Sequence, residues 1–226
     1  MRDYLGAVWA IVVKDATVEW RTKTAFMSAV VFAILVLSIL YFARDPTAVS
    51  SMDIAPGALW VTFTFAAMVG LNRAFLLERE NQAIDGMLLT PVPRTAIFVG
   101  KMTGNLLFVG FVELISVPLF VLFYNVSLAG RLPQLLAVTA MATVAFVAVG
   151  TLLSAMAVRT RFAELMLPIL LLPFLIPPVV GAVQLTSRIL AARPASELMG
   201  WFKLLAAFDI VFCVLAILLY EATLDE

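Results

Sequence analysis

Two carboxylates lie within long apolar stretches of the chain, where charged side chains are uncommon. Glu113 is the only charged residue between Lys101 and Arg131, and Asp209 is the only one in Leu204–Tyr220. A carboxylate inside a membrane costs about 2.5–3.5 kcal/mol on insertion scales, so it is a functional candidate by default. Glu113 and Asp209 therefore suggest a proton relay, a substrate contact or a hydrogen bond between helices, and Asp209 alternatively reaches the membrane interface.

Other catalytic and metal-binding chemistry is largely excluded by the residue types. The chain has no histidine, and Cys213 is its one cysteine, so imidazole ligands, disulfides within the chain and CxxC motifs are impossible. Gly100-Lys101 does not belong to a phosphate-binding loop, because Thr95 and Met102 stand where that motif needs glycine and serine or threonine. The sequence therefore predicts no catalytic residues, no directly bound cofactor and no metal site.

Ten methionines raise the alternative of a site for a soft metal or haem. They show no shared spacing, and methionine more often fills irregular gaps in apolar packing. We therefore interpret them as packing residues.

The composition places these residues in a membrane protein. Of 226 residues, 63% are hydrophobic and 13% are charged, and the mean hydropathy is +1.06. Soluble domains average about 45–50% apolar and about 25% charged residues. The formal net charge is zero, which provides no basic surface for nucleic acid.

Long stretches with few charges predict an all-α integral membrane protein with six transmembrane helices. About 20 apolar residues cross a bilayer as a helix, and lipid offers no partners to other kinds of backbone. The spans are expected near residues 24–43, 54–77, 101–125, 132–158, 164–187 and 203–221.

Residues 3–23 predict an amphipathic helix at the membrane surface, ahead of the first span. At 100° per residue one face is apolar and includes two tryptophans, which suit the headgroup boundary. That face contains Leu5, Trp9, Val12, Ala16 and Trp20, while Asp3, Lys14 and Arg21 lie opposite and Glu19 fits poorly. The alternative is an extension of the first span.

Lysine and arginine predict a cytoplasmic location for both termini. With that orientation the inner segments hold 10 of the 15 basic residues and the outer segments hold 5. An excess of basic residues on the cytoplasmic side is the general rule for membrane proteins.

The longest inner segment predicts a short cytoplasmic helix at residues 78–90 that docks a partner, with a solvated loop as the alternative. Pro91 and Pro93 would end this helix. Its charged residues are Glu78, Arg79, Glu80 and Asp85. Its apolar end contains Leu88 and Leu89.

The fifth span is unusually rich in proline, and each proline removes a helical hydrogen bond. The four are Pro168, Pro173, Pro177 and Pro178. We expect them to break the helix, with partial re-entry from the outer face, or alternatively to kink it.

Nearly the whole chain resembles the haem exporter protein B family, CcmB, of cytochrome c maturation. The resemblance is most specific in residues 54–101, which include Ile54-Ala-Pro-Gly-Ala-Leu-Trp, Gly70-Leu-Asn-Arg, Leu88-Leu-Thr-Pro-Val-Pro and Gly100-Lys101. A second similar segment is Leu167-Pro-Ile-Leu, followed by Ile176-Pro-Pro-Val.

The resemblance implies the permease subunit of an ABC transporter with the ABC-2 exporter fold, in the bacterial inner membrane. Such permeases have an elbow helix and a coupling helix, and the resemblance implies that these are residues 3–23 and 78–90 of this chain. The implied partners are an ATPase subunit, CcmA, a haem-handling membrane protein, CcmC, a small membrane protein, CcmD, and the haem chaperone CcmE. The complex would use ATP, bound in the partner subunit, to export haem or release the loaded chaperone.

Two other functions share these sequence features. An ABC-2 permease for a drug, lipid or glycan would have the same fold, and a scaffold could anchor haem-handling subunits without transport. An integral membrane enzyme is disfavoured because the sequence contains no catalytic constellation.

Overall fold

The computed structural model describes residues 2–45, 47, 49–80, 86, 92–157 and 163–223. Side chains are described for residues 3–45, 47, 49–72, 86, 92–156 and 168–220. Within these ranges all regular structure is helical, in agreement with the predicted all-α membrane protein. The helices are α1 (Arg2–Thr22), α2 (Thr24–Ala43), α3 (Ser51–Glu80), α4 (Arg94–Tyr124), α5 (Leu132–Ala157), α6 (Ala163–Leu190) and α7 (Ala195–Thr223).

Helices α2 to α7 are each long and apolar enough to cross a membrane, which confirms the predicted count of six. Some helices begin earlier than the apolar stretches suggested. Helix α4 starts at Arg94 rather than near 101, and α7 starts at Ala195 rather than near 203. Charged residues end an apolar stretch, but they do not interrupt the backbone hydrogen bonds of a helix.

Helices α3 and α5 form the centre of the bundle, and α2 and α7 are the least enclosed. Helix α3 packs against α2, α4, α5 and α6, while α5 also contacts α4, α6 and α7. Trp60 of α3 joins this core to α6, because its indole N–H donates to the Thr186 hydroxyl at 2.8 Å. Both side chains are buried, so the bond satisfies two polar groups that lipid could not.

The peripheral helix α2 approaches the bundle through small residues. Ala25, Ala29, Ala33 and Leu37 follow one another at every fourth position and are fully buried. Residues four apart share a helix face, and alanine lets neighbouring helix backbones come close. This face packs against α3 and α4.

Helix α1 is separate from α2, so the alternative of an extended first span is wrong. Lys23 lies between them with φ 54°, in the left-handed region. The carboxylate of Glu19 accepts a hydrogen bond from the Phe26 backbone N–H at 2.8 Å. This explains the poor fit of Glu19 on an amphipathic helix, because its side chain satisfies an amide in the first turn of α2.

The predicted break in the fifth span is wrong, since α6 continues through all four prolines. Its buried face includes Leu171, Leu175, Ala182 and Leu185, a helical repeat that packs against α3, α5 and α7. Proline does remove backbone hydrogen bonds, but neighbouring helices can hold the remaining turns in place.

Candidate functional site

Glu113 lies in the middle of α4 and is 4% exposed. The Thr143 hydroxyl of α5 lies 2.8 and 2.7 Å from its two carboxylate oxygens. The same hydroxyl is 2.7 Å from the Thr139 carbonyl, one turn earlier in α5. Of the three roles expected for Glu113, this geometry is that of a hydrogen bond between helices.

A second polar contact joins the same two helices about two turns closer to the N-terminal end of α4. The Asn105 amide of α4 donates to the Thr151 hydroxyl of α5 at 3.0 Å. We call Asn105, Glu113, Thr143 and Thr151 the polar seam. It fixes the register of α4 against α5, because hydrogen bonds across apolar helices require one alignment of donors and acceptors.

The N-terminal part of α4 carries a different kind of contact, an ion pair with α1. The Lys101 ammonium donates to the two Asp15 carboxylate oxygens at 3.3 and 3.2 Å. Lys101 is only 8% exposed, and the Asp15 carboxylate also faces the Lys14 ammonium at 2.9 Å. The acid therefore lies between two cations at the junction of α1 and α4.

Two glycines let α1 approach α4 at this place. A Cβ at Gly100 would stand 2.9 Å from the Ile11 Cβ, which is too close for real atoms, whereas one at Gly104 would make ordinary contact with Asp15. We call Ile11, Asp15, Gly100, Lys101 and Gly104 the elbow contact. Its small residues let the two helix backbones approach closely, and the Asp15–Lys101 pair joins them.

The predicted apolar face of α1 is partly buried against the protein and partly exposed. Val12 is buried, whereas Leu5, Trp9 and Trp20 are exposed. These exposed side chains leave the aromatic face available for the headgroup region of a bilayer.

Asp209 lies in α7, on a different helix from the residues of the polar seam, and only part of its side chain is covered. Its Oδ1 atom is buried and has no hydrogen-bond partner among the described residues. Among the described residues, the two acids therefore share no hydrogen-bond partner.

The predicted coupling segment lies mostly outside the described residues. Asp85, Leu88 and Leu89 are among those omitted, while Glu78, Arg79 and Glu80 are described in backbone only. These last three belong to α3, which continues from the second span to Glu80. At 1.5 Å per residue this 30-residue helix is about 45 Å long, more than a hydrocarbon core of about 30 Å.

Sequence reasoning missed Asp15, Lys101, Asn105, Thr143 and Thr151 as partners. The Gly-Lys-x-x-Gly spacing of residues 100–104 was a usable signal, since it puts two small residues on one helix face beside a cation. The threonines carried no such signal, because hydroxyls are common in membrane helices. Among the described residues, no group of three potential metal ligands occurs.

Comparison with known proteins connects this arrangement to a family. The family model described as CcmB protein matches residues 6–225, almost the full length. The chain belongs to the CcmB family.

Curated relatives in the CcmB family carry the name heme exporter protein B. The protein of Paracoccus denitrificans is 27% identical over 79% of this chain and 82% of the relative. That of Pseudomonas aeruginosa is 25% identical over 92% of both chains. That of Bradyrhizobium diazoefficiens is 23% identical over 93% of this chain and 94% of the relative.

The CcmB family match covers both contacts of α4. Residues 6–225 include the elbow contact, the polar seam and Asp209. The chain is thus a multi-pass membrane protein of a transport family, and the contacts on α4 are features of this member's fold.

Proposed function

We propose that the chain is the permease subunit of an ATP-driven haem exporter complex that serves cytochrome c biogenesis. The observation that carries this proposal is the CcmB family match over residues 6–225, on a chain with six candidate spans. The ABC-2 exporter arrangement, with α1 as its elbow helix, agrees with that architecture.

The energy source is an ATPase in a partner chain. This sequence lacks the glycine-rich loop that holds nucleotide phosphates. The segment of residues 78–90 docks on the partner and moves with it as nucleotide binds and is hydrolysed. Such docking transmits energy only if its free energy differs between nucleotide states.

Haem is the cargo of the complex rather than a resident cofactor of this chain. No histidine is available to bind haem iron, so the chain provides no imidazole ligand on any path. We infer that ATP and haem are both held by other subunits, which are the CcmA-, CcmC-, CcmD- and CcmE-like proteins. The complex then either exports haem or releases the haem-loaded chaperone on the periplasmic side.

The proposed location is the bacterial inner membrane with both termini in the cytoplasm. The basic residues support this orientation, since 10 of 15 then lie on the inner side. The elbow contact and the segment at 78–90 are then on the side that faces the ATPase.

Deletion with complementation tests the biological role. Loss of c-type cytochromes on deletion, restored by this chain, is the expected result. Purification of the intact complex from membranes, with absorption spectroscopy for haem, then identifies partners and cargo together. Unchanged c-type cytochromes in the deletion strain would overturn the proposal.

Charge reversal tests the coupling segment. We expect Glu78→Lys with Glu80→Lys to abolish cytochrome c maturation while the chain still inserts and the partner still hydrolyses ATP. The matched control is Glu197→Lys, because Glu197 is an exposed acid near the opposite end of the spans. Wild-type maturation in the double variant would remove residues 78–80 from the coupling mechanism.

A permease for another cargo and a scaffold without transport remain the alternatives. Growth defects unrelated to c-type cytochromes would indicate the first. Normal maturation with an ATPase-dead partner would indicate the second.

A further inference from the structure

The elbow helix α1 is attached to the bundle in two ways, by the chain to α2 and by side-chain packing to α4. Its covalent link to α2 passes through Lys23, in the left-handed conformation, and direct packing between α1 and α2 is slight. Its packing against α4 is among the most extensive between any two described helices. Helix α1 is therefore joined to the first span by the chain and to the third span by its side chains.

The apolar part of the α1–α4 junction is continuous with the cytoplasmic end of the bundle. Ile11 of α1 belongs to one buried cluster with residues of α4, α5 and α7. The remaining members are Ile97, Phe98, Leu152, Ala216 and Tyr220. The Phe98 and Tyr220 rings lie 4.9 Å apart, so α4 and α7 also meet directly here.

The polar part of the junction is the Asp15–Lys101 pair. Burial of an ammonium group is costly unless an opposite charge lies close, and Lys101 is 8% exposed. Asp15 provides that charge from α1. Separation of α1 from α4 would pull apart this pair, which ties the two helices electrostatically.

The position of the pair connects it to the coupling segment. Helix α4 begins at Arg94, directly after the inner segment that contains residues 78–90. Lys101 lies about two turns into this helix, or roughly 10 Å at 1.5 Å per residue. Any displacement of the segment that moves the start of α4 therefore acts on Lys101 before it reaches Glu113.

We propose that Asp15 and Lys101 are positioning residues that lock the elbow helix to the third span, so that α1 follows α4 rather than α2 during each transport cycle. This inference rests on the proposed coupling function. Lys23 is then the point of rotation between α1 and the first span. The exposed tryptophans of α1 would carry the motion of α4 into the membrane surface.

The test measures distances between spin labels in the full complex, in membranes, with and without ATP. Cys213→Ser removes the native thiol, and labelled cysteines replace Val13 of α1, Leu107 of α4 and Val31 of α2, which are all exposed. We expect the α1–α4 distance to stay constant across nucleotide states while the α1–α2 distance changes. A constant α1–α2 distance with a changing α1–α4 distance would overturn the proposal.

Two neutral variants test the charge pair itself. Asp15→Asn and Lys101→Met should broaden the α1–α4 distance distribution and lower maturation, because either change leaves the other charge without its partner in a partly buried contact. Asp15→Glu and Lys101→Arg keep both charges. Each should retain the narrow α1–α4 distance distribution and the maturation of the unmodified chain. Asp3→Asn on the exposed part of α1 is the control.

These readouts separate this inference from the proposed function. If Asp15→Asn behaves like Asp3→Asn, or if Asp15→Glu fails to restore a narrow distribution in a chain that inserts normally, the locking role is wrong. The distance measurements do not depend on cargo. One possible result is a constant α1–α4 distance together with normal maturation in the Glu78→Lys and Glu80→Lys variant. That result would refute the coupling function but not the locking role of Asp15 and Lys101.

Discussion

Helix α4 buries one basic and one acidic side chain, and their surroundings differ. Lys101, near its N-terminal end, faces the carboxylate of Asp15 on a separate helix. Glu113, in its middle, faces only the Thr143 hydroxyl among the described residues. Opposite charges join α1, which packs on the side of the bundle, to α4. Between α4 and α5, which apolar packing already holds together, a hydroxyl group is sufficient.

The elbow contact and the polar seam also differ in the interactions that stabilise them. The elbow contact depends on close approach of backbones at Gly100 and on the charge contact of Asp15 with Lys101. The polar seam depends on hydrogen bonds within a core whose shape is set by many apolar side chains. We therefore expect steric and charge changes to matter most at the first region and loss of a hydroxyl to matter most at the second.

The largest effect is expected from Gly100→Val. Its Cβ would stand 2.9 Å from the Ile11 Cβ, and atoms so near the backbone cannot rotate away. Overpacking of this kind costs about 1–3 kcal/mol, and it should release α1 from α4. The measurement is the α1–α4 label distance together with the thermal-unfolding midpoint in detergent.

Gly110→Val is the matched control on the same helix, because a Cβ at Gly110 meets nothing within 4 Å. Equal destabilisation by both variants would show that glycine matters in α4 for reasons other than contact with α1.

The next effect is expected from Thr143→Val, which keeps the shape and removes the hydroxyl. The Glu113 carboxyl group then loses its Thr143 partner, and an unsatisfied buried polar group costs about 1–3 kcal/mol. A midpoint lower by several degrees is expected for a chain of this size. Thr103→Val is the control, since that hydroxyl bonds only the Val99 carbonyl of its own helix.

Glu113→Gln should have a smaller effect, because an amide still offers an oxygen to the Thr143 hydroxyl. We expect normal insertion, a loss of less than about 1 kcal/mol and retained maturation. A strong loss of maturation with unchanged stability would instead assign proton or substrate chemistry to Glu113, and the polar seam would then be more than a structural contact.

The smallest effect is expected from Asp209→Asn. Oδ1 of Asp209 has no partner among the described residues, so neutralisation breaks no hydrogen bond seen there. We expect an unchanged or slightly raised unfolding midpoint for the isolated chain. A clear drop in maturation without a drop in stability would point to a contact between Asp209 and another subunit.

Much of the fold followed from local sequence features. Uncharged stretches predicted six spans, and the spacing of apolar residues at 3–23 predicted a separate helix. The prolines of α6 were misleading, because their local effect on hydrogen bonds is offset by packing of Leu171, Leu175 and Leu185 against neighbouring helices. Helix starts at Arg94 and Ala195 were also missed, since charge marks the membrane boundary and not the end of a helix.

The sequence by itself determined that this chain spans a membrane, that Glu113 lies deep within a span and that phosphate-binding and imidazole chemistry are absent. Those conclusions follow from composition and spacing, which lipid constrains strongly because it cannot satisfy backbone groups or charges. Only the tertiary structure decided that Glu113 meets Thr143 and that Lys101 meets Asp15. The partners are 30 and 86 residues apart, and which helices become neighbours depends on packing of the whole bundle rather than on any local pattern.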